Sequence, residues 1–528
     1  MAEARHSSDP ASASMPLGHP NPLRFSGPTR VGELVAQQAK AHGEQVYGID
    51  TETRVELSFQ GLEQFQLQLK SVLQQAGLAP GMHIALLMPN GIGTLASLLG
   101  CMANDYSVNP VNLLCTEDQM RYIIEHSEAH AFIVSQEWQA RARALLKDRP
   151  AMALLVMDPH RLAMPVIEKA GKGLVRGPHP KELALLMYTS GTTGRPKGVM
   201  LTHGNLLSNA ASISAEHQLT QADRVYAVLP LYHINAFGVT MMATLWHAGS
   251  LAMPPKFSAT QFWAQVKEFE CSWMNVVPTI ISYLIDQGPT EQSRQVQLKF
   301  CRSASAPLPP EHHKAFEEMF GIGVIETMGL TETVAPSFSN PLDSAQRKIG
   351  SVGRPSGCEA FIADEHGGEL PSGQTGEVII RGPNVTMGYF KNKEGTAAAF
   401  FPDGWLRTGD LGQVDADGFF FITGRIKELI IKGGENIAPR EIDEILLQHP
   451  SVLDAAAVGI PHKHYGQDIA ACVILKEGQT TEANELIDWV KTQLGPFKTP
   501  SQIRLVADLP RGPSGKVQRL KLVDSFLG

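Results

Sequence analysis

Short apolar runs alternate with helix-like patterns along this 528-residue chain, and no other feature of the sequence limits the fold as strongly. HIALLMP is followed by NGIGTLASLLGCMAND, and AHAFIVS is followed by QEWQARARALLKD. Alternation of this kind favours parallel sheets flanked by helices. We expect an α/β protein with strands at 83–88, 131–134 and 225–229 in a doubly wound core, where ligands bind at the ends of the strands.

The sequence changes character near residue 350. Glycine, proline and alternating apolar residues follow, which predicts a small β subdomain with a hairpin turn at Asp417 and Gly418. Beyond Arg425, about 100 residues alternate strand and helix patterns and carry their own apolar positions. This unit could be a separate domain, and we place its boundary at Lys427.

The composition is that of a soluble globular protein. The 45 Lys and Arg residues against 53 Asp and Glu residues give a formal charge of −8, and no basic block suits nucleic acid. No apolar run reaches the ~20 residues of a membrane span, the first residues lack a secretory core, and the end DSFLG carries no peroxisomal address. Six cysteines without CxxC or Cys/His pairs disfavour zinc and a disulfide framework. We expect a cytoplasmic protein whose residues 1–27 are a disordered lead-in.

A loop rich in hydroxyls and glycines lies within LMYTSGTTGRPKGVMLTH, at 186–203. The glycines let the backbone N–H groups approach an anion closely, and Lys197 adds a positive charge. The spacing differs from a Walker loop, because Gly198 rather than Ser or Thr follows the lysine. A solvated turn is the alternative interpretation. The candidate phosphate-binding residues are Thr189, Ser190, Gly191, Thr192, Thr193 and Lys197.

YTSGTTGRPKG resembles the phosphate-binding loop of the adenylate-forming superfamily, which contains acyl-CoA synthetases, luciferases and peptide-synthetase adenylation domains. The family's other motifs have similar counterparts here in the same order, over roughly residues 30–525: LPLYHINAFG at 229–238, ETMGLTET at 326–333, GWLRTGDLG at 404–412, GRIKELIIKGGENIAP at 424–439 and PRGPSGKVQR at 510–519. The resemblance implies stacked doubly wound sheets in a large domain at 28–426, followed by a small, mobile α+β domain at 427–528.

The chemistry that the resemblance implies is activation of a carboxylic acid. The carboxylate attacks the α-phosphate of ATP and gives an acyl-AMP and pyrophosphate, a step that needs charge stabilisation more than acid–base groups. The family's pattern assigns Lys516 to the carboxylate and α-phosphate oxygens. It assigns Glu332 to Mg²⁺ and Thr331 to phosphate, and Thr192 is a second candidate for the metal.

The nucleotide would lie across several further segments. Asp410 resembles the aspartate that accepts both ribose hydroxyls, and Arg425 resembles the arginine beside it. Family members usually carry an aromatic residue at the position of Met328, whose thioether can cover the base instead. The residues expected along the adenine are Ser305, Ala306, Pro307, Glu326, Thr327 and Met328.

For the second half-reaction, the family's small domain swings and presents another face to the acyl-AMP. Lys427 falls on the hinge position, and the loop at 433–436 would replace Lys516 at the site. The adjacent Gly433 and Gly434 leave room for the thin pantetheine arm of coenzyme A, which favours CoA as the acceptor. A GG pair is also an ordinary turn.

Four segments look like the oxalate–CoA ligase group: FSATQFW, RSASAPL, FSNPL and IRGPNVTMGY. That group has histidines at the positions of Asn235 and Ala335, so the pocket here is more apolar. We expect a small to medium-sized monocarboxylic acid, with oxalate as a competing option, and His233 as the gate of a tunnel or the lid of the pocket. The pocket candidates are Tyr232, Asn235, Phe237, Ser303, Gly329, Val334 and Ala335.

Three other functions compete with acid–CoA ligation. An amino-acid adenylating enzyme that loads a carrier protein would need an acidic residue near YHINAFG for the α-amine, and this segment has none. An enzyme that passes the acyl group to an amine or another nucleophile would release pyrophosphate regardless of CoA. A nucleotide-binding protein without catalysis is disfavoured by the intact Lys197, Glu332, Asp410 and Lys516. A homodimer is compatible with the sequence, although no pattern indicates one.

Overall fold

The computed structural model describes residues 27–171, 182–189, 195–511 and 517–527. Residues 1–26 of the lead-in predicted at 1–27 lie outside these ranges. Within these ranges, none of the helices combines the length and the apolar composition of a bilayer span.

Fourteen α-helices lie within the described ranges. They are α1 Val31–His42, α2 Phe59–Gln75, α3 Ile92–Ala103, α4 Glu117–His126, α5 Gln139–Leu145, α6 His203–Glu216, α7 Ala243–Trp246, α8 Ala259–Glu268, α9 Pro278–Gln287, α10 Pro310–Phe320, α11 Lys393–Ala398, α12 Pro439–Leu447, α13 Ala483–Leu494 and α14 Arg519–Leu522. A π-helix at Asn235–Met242 and a 3₁₀ turn at Ile426–Glu428 also bear on the site.

The strands of the described ranges form four sheets. They are β1 Val46–Asp50, β2 Glu56–Ser58, β3 His83–Leu87, β4 Ser107–Pro110, β5 Ala131–Ser135, β6 Ala153–Met157, β7 Val166–Lys169, β8 Leu183–Thr189, β9 Lys197–Thr202, β10 Arg224–Tyr226, β11 Ser250–Met253, β12 Trp273–Val276, β13 Phe300–Ser303, β14 Val324–Met328, β15 Phe338–Ser339, β16 Arg354–Pro355, β17 Glu359–Ala363, β18 Gly376–Arg381, β19 Leu406–Val414, β20 Phe420–Arg425, β21 Ile430–Lys432, β22 Glu435–Ile437, β23 Val452–His462, β24 Gly466–Leu475 and β25 Gln502–Leu505.

Two mainly parallel sheets form the large N-terminal part, as the alternating pattern predicts. One has seven strands in the order β7-β6-β5-β3-β4-β8-β9, and the other has nine in the order β16-β15-β14-β13-β12-β10-β11-β1-β2. The strands predicted at 83–88 and 131–134 are β3 and β5. The prediction of a strand over 225–229 was wrong in length, because β10 ends at Tyr226 and an irregular segment leads from it to the π-helix.

Both faces of the inner strands β3, β5 and β6 are buried, which explains why these strands read as continuous apolar runs. Ile133 of β5 belongs to a large core that also contains Val225 and Met274 from the nine-stranded sheet. Phe132 and Val134 of the same strand pack into a second core with residues of α4 and α5. The two sheets are therefore stacked through one core, as expected for the predicted fold class.

The predicted β subdomain is an antiparallel sheet of β17, β18, β19 and β20. The turn predicted at Asp417 and Gly418 joins β19 to β20, and Gly418 has a φ of 80°, a conformation that favours glycine. The hairpin pairs Asp410 with Arg425, so the turn sets the register of two residues of the predicted nucleotide site.

The chain beyond the 3₁₀ turn at Ile426–Glu428 builds the predicted α+β unit. Its sheet has the order β22-β21-β24-β23, with β25 beside β24. Its main core contains Ile430, Leu446, Val473 and Val490 and no residue before Ile430. The strand β22, which the sequence did not predict, pairs with β21 and brings Gly433 and Gly434 into a turn.

Candidate active site

The predicted phosphate loop connects two paired strands, β8 and β9. Thr189, expected on the loop, is the last residue of β8 and pairs with Lys197, the first residue of β9. The prediction placed Thr189 wrongly because the apolar pattern of the strand continues up to it. The pairing holds the two ends of the loop side by side. The other loop candidates, Ser190, Gly191, Thr192 and Thr193, lie outside the described residues.

Lys197, Tyr389 and Glu332 form a connected cluster beside this loop. The Lys197 ammonium lies 4.8 Å from the centroid of the Tyr389 ring, within cation–π range. The Tyr389 hydroxyl donates to Glu332 Oε1 at 2.8 Å. Burial, together with the adjacent Glu332 carboxylate, raises the pKa of Tyr389, so its phenol stays protonated and remains a donor. Sequence reasoning missed Tyr389, whose one signal was its place at the end of IRGPNVTMGY.

Asp410 and Arg425 form an ion pair across the hairpin. Arg425 Nε lies 2.7 Å from Asp410 Oδ1, and the Asp410 side chain is only 4% exposed. Asp410 is the main reason that the pKa of Arg425 is raised, and the charges of Glu428 and, to a smaller extent, Glu332 add to the effect. The structure therefore joins Asp410 and Arg425, which come from two separate motifs.

The residues predicted along the adenine lie at the carboxyl ends of β13 and β14. Ser305 and Ala306 are half-buried in a loop in which Ser305 has a φ of 75°, and Pro307 is exposed. Glu326 is buried, and its Oε1 accepts from a backbone N–H at 3.4 Å. Burial raises the pKa of Glu326 to about 7.

The two residues that follow Glu326 complete β14. The Thr327 hydroxyl donates to the backbone of β13 at 3.3 Å. Met328 is half-buried and packs against the core of the β subdomain. The segment is therefore held from both sides, which suits a wall of a nucleotide site.

The predicted acid pocket lies where the π-helix meets the segment after β14. Phe237 and Val334 are fully buried, and Ala335 is 5% exposed. A Cβ on Gly238 would lie 2.6 Å from the carbonyl oxygen of Val334, and a Cβ on Gly329 would lie 2.6 Å from the Cα of Ala335. Two glycines are therefore required for the helix, the turn and the segment to approach this closely.

Two aromatic side chains stand at the start of the π-helix. Tyr232 and His233 are half-buried, with ring centroids 4.8 Å apart in an edge contact. Burial raises the pKa of Tyr232 to about 12. Thr331 and Glu332 are half-buried in a 3₁₀ turn. Leu330 separates this turn from the predicted pocket residue Gly329.

A buried polar cluster below the pocket was missed by sequence reasoning. Arg302 Nη1 donates to Asn235 Oδ1 at 2.7 Å and to Asn275 Oδ1 at 2.6 Å. Asn235 Nδ2 donates to Ser305 Oγ at 3.1 Å, which links the cluster to the adenine loop. Burial lowers the pKa of Arg302 to about 9. The one signal was the position of Arg302 at the start of RSASAPL.

Lys427, Gly433 and Gly434 lie on the surface, in or after the 3₁₀ turn that follows β20. Gly433 and Gly434 have φ values of 60° and 90° and form the two-residue turn between β21 and β22. Positive φ at both positions is what such a hairpin turn demands, so the turn accounts for the glycine pair. Lys516 lies outside the described residues.

Glu332 is the described residue that fits a magnesium ion. Within the described ranges, no group of three His, Cys, Asp or Glu side chains could hold a metal. A single carboxylate suits Mg²⁺, which keeps several waters and takes its other oxygens from phosphates. Thr192, the second candidate, lies outside the described residues.

Comparisons with known proteins show the family of the chain. Residues 35–390 match the model of the AMP-binding enzyme family, and residues 441–516 match that of the AMP-binding enzyme C-terminal domain. The sulfoacetate–CoA ligase of Cupriavidus necator is 50% identical over 93% of this chain and 97% of its own. The oxalate–CoA ligase of Arabidopsis thaliana is 36% identical over 86% of this chain and 90% of its own. ATP-bound MatB from Rhodopseudomonas palustris superposes with a TM-score of 0.85 at 29% identity, covering 94% of this chain and 99% of its own.

Proposed function

Because the chain belongs to the family of AMP-binding enzymes and is an ATP-dependent acid–CoA ligase, we propose that it activates a small carboxylic acid at the site of Glu332, Asp410 and Arg425. The acid's carboxylate attacks the α-phosphate of ATP, which releases pyrophosphate and leaves an acyl-AMP. The thiol of CoA then attacks the acyl carbon and displaces AMP.

Two observations carry this proposal: the Asp410–Arg425 ion pair, and the cluster of Glu332, Tyr389 and Lys197 at the end of the phosphate loop. Asp410 would accept the ribose hydroxyls, and Arg425 would hold it in place. Glu332, oriented by Tyr389, would bind Mg²⁺, which supplies positive charge to the phosphates.

Lysines would provide the remaining charge. Lys197 begins β9 at one end of the phosphate loop and would face the phosphates, with its position set by the Tyr389 ring. Lys516 would stabilise the charge that develops between the attacking carboxylate and the α-phosphate. Thr331 would add a hydroxyl to the phosphates from the turn that carries Glu332.

Two domains would alternate during the reaction, at 28–426 and 427–528. Three observations favour this division: the core that begins at Ile430, the exposed Lys427 in a short 3₁₀ turn, and the exposed turn of Gly433 and Gly434. A rotation about Lys427 would exchange Lys516 for that turn at the acyl-AMP. A cytoplasmic location and a homodimer stay predictions.

The acid is small in this proposal. Phe237 of the π-helix, together with Val334 and Ala335 of the segment after β14, would close the pocket, and the approach at Gly238 leaves no room for a Cβ there. Sulfoacetate and oxalate, which the two relatives activate, are the first candidates.

Thioester formation against a panel of acids tests the proposal. Purified protein, ATP and Mg²⁺ are mixed with sulfoacetate, oxalate, short fatty acids, aromatic acids or amino acids, each with and without CoA. Pyrophosphate and acyl-CoA are measured together. We expect steady pyrophosphate release that depends on CoA and a thioester of one small acid. Pyrophosphate release indifferent to CoA, with no thioester, would contradict CoA as the acceptor.

A further inference from the structure

We infer that Arg302 binds a second anionic group of the acid, so that the substrate is a short acid with two negative charges. This inference rests on the proposed function and names the substrate class of the same site. It departs from the sequence argument, which favoured a monocarboxylic acid because Asn235 and Ala335 replace two histidines.

The guanidinium of Arg302 is fully buried and lacks a negative partner. Its Nη1 bonds to the amide oxygens of Asn235 and Asn275, whereas Nε and Nη2 have no hydrogen-bond partner among the described residues. Neutral amides orient the group but do not neutralise it. A buried charge with unpaired donors is costly, and its presence needs a reason.

The cluster adjoins the predicted acid pocket through Asn235. Arg302 of β13 is the cross-strand partner of Asn275 of β12, so the two side chains point to the same face of the sheet. Asn235 is the first residue of the π-helix that forms the pocket. The guanidinium therefore lies within hydrogen-bond distance of the predicted pocket residue Asn235.

The bonds of Asn235 limit the length of the acid. Its Oδ1 accepts from Arg302 at 2.7 Å, and its Nδ2 donates to Ser305 at 3.1 Å. One amide group thus spans the gap between the guanidinium and the loop predicted to hold the adenylate. An acid whose reacting carboxylate lies at that loop therefore needs only a short chain to reach Arg302.

The chemistry of the guanidinium selects the second group. Its planar array of N–H donors matches the oxygens of a carboxylate or a sulfonate, and the charge favours an anion. An acid with an uncharged end would leave Nε and Nη2 unpaired, and sites built around buried polar groups reject such analogues strongly. The ligand class is therefore a short dicarboxylate or a sulfocarboxylate.

A matched pair of substrates tests the inference. Sulfoacetate and methylsulfonylacetate have nearly the same size, but the second carries a methyl group in place of the charged oxygen. We expect the wild-type kcat/KM for thioester formation to favour sulfoacetate by at least about 100-fold. In Arg302→Met, the value for sulfoacetate should fall by at least about 100-fold, and that for methylsulfonylacetate by less than about fivefold.

Arg347→Met is the control variant. Arg347 is also a largely buried arginine, but it pairs with Glu317 and with backbone carbonyls away from Asn235. Loss of the Arg347 guanidinium should change kcat/KM for the two substrates by the same factor. Equal losses for both substrates in Arg302→Met, or no loss for sulfoacetate, would overturn the inference.

The inference can still be tested if Arg302→Met does not fold. Stabilisation by ATP in a thermal melt reports whether Arg302→Met is folded. If it is not, Arg302→Lys is the second variant, because it keeps the charge but loses the planar fork of N–H donors. We expect kcat/KM to fall selectively for sulfoacetate, by at least about tenfold. An equal fall for both acids contradicts the inference. A wild-type protein that forms no thioester with any acid defeats the proposed function. A wild type that prefers acids with uncharged ends defeats only the inference.

Discussion

Single residues set the geometry of the nucleotide site through contacts that are remote in sequence. Glu332 and Tyr389 are 57 positions apart, yet the phenol donates to the carboxylate at 2.8 Å and leaves the rest of that carboxylate for a metal or phosphate group. The Lys197 ammonium lies over the ring of the same tyrosine, 4.8 Å from its centroid. Tyr389 therefore positions both an anion and a cation.

Tyr389→Phe should weaken catalysis without unfolding the protein. The variant keeps the ring beneath Lys197 but loses the hydrogen bond to Glu332, which is worth about 1.5 kcal/mol to a charged acceptor. We expect kcat/KM for ATP to fall about tenfold and the Mg²⁺ requirement to rise. Steady-state kinetics over a Mg²⁺ series measures both. The control is Tyr283→Phe, whose ring is exposed; identical kinetics in the two variants would rule out the positioning role.

Glu326 should make stability depend on pH. Burial raises its pKa from 4.5 to about 7. A carboxyl group with a raised folded-state pKa contributes stability that is fully present below pH 4.5 and is lost as the pH rises through about 7, because the folded state must then ionise a buried group. The shift from 4.5 to about 7, at about 1.4 kcal/mol per pKa unit, makes this loss about 3.5 kcal/mol.

Glu326→Gln tests this by replacing the carboxyl with a neutral group of the same shape. At pH 8 the variant should be more stable than wild type, and at pH 5 the difference should shrink to below about 1 kcal/mol. Thermal midpoints at both pH values give the comparison. Glu318, which is exposed, provides the control Glu318→Gln. A stability difference that is the same at pH 5 and pH 8 would contradict the assignment.

At the scale of elements, the π-helix is the part of the site that the sequence predicted least well. LPLYHINAFG indicated a pocket segment, but its apolar residues do not recur with a helical period. The helix depends on close contact with Val334, which only the tertiary structure reveals. The strands β3 and β5 were predictable because their apolar runs are bounded by turn residues.

Arg302 illustrates the same limit for the site. Its motif was recognised, but its role depends on Asn235 and Asn275, which come from two other elements and meet only in the folded protein. By contrast, Asp410 and Arg425 could be predicted together, since a recognisable hairpin turn sets their register.

Gly238→Ala should disturb the pocket through packing alone. The added Cβ would lie 2.6 Å from the Val334 carbonyl oxygen, so the helix or the segment must shift. We expect a loss of about 1–3 kcal/mol in stability and a higher KM for the acid, with little change in KM for ATP. The comparison variant is Gly204→Ala, where the nearest atom to a new Cβ is 3.6 Å away. If both variants behave alike, the close approach does not shape the pocket.

At the scale of the whole molecule, the two half-reactions should depend differently on Lys427. Lys427 lies in a 3₁₀ turn, a conformation compatible with proline, so Lys427→Pro should preserve the fold while restricting rotation. We expect acyl-AMP formation to change less than about threefold and thioester formation to fall at least about tenfold.

The control is Glu137→Pro, at an exposed position in another 3₁₀ turn. Quenched single turnovers, with and without CoA, separate the two half-reactions in both variants. Equal slowing of both half-reactions in Lys427→Pro would contradict domain alternation about this residue.

The most direct test of the whole account follows the α-phosphate of ATP through one turnover. The wild-type protein is mixed with sulfoacetate and ATP labelled at the α-phosphate, first without CoA and then with it. We predict labelled acyl-AMP in an amount stoichiometric with the protein, which converts to AMP and sulfoacetyl-CoA when CoA is added. Labelled ADP, or a thioester that forms while the acyl-AMP persists, would contradict the account.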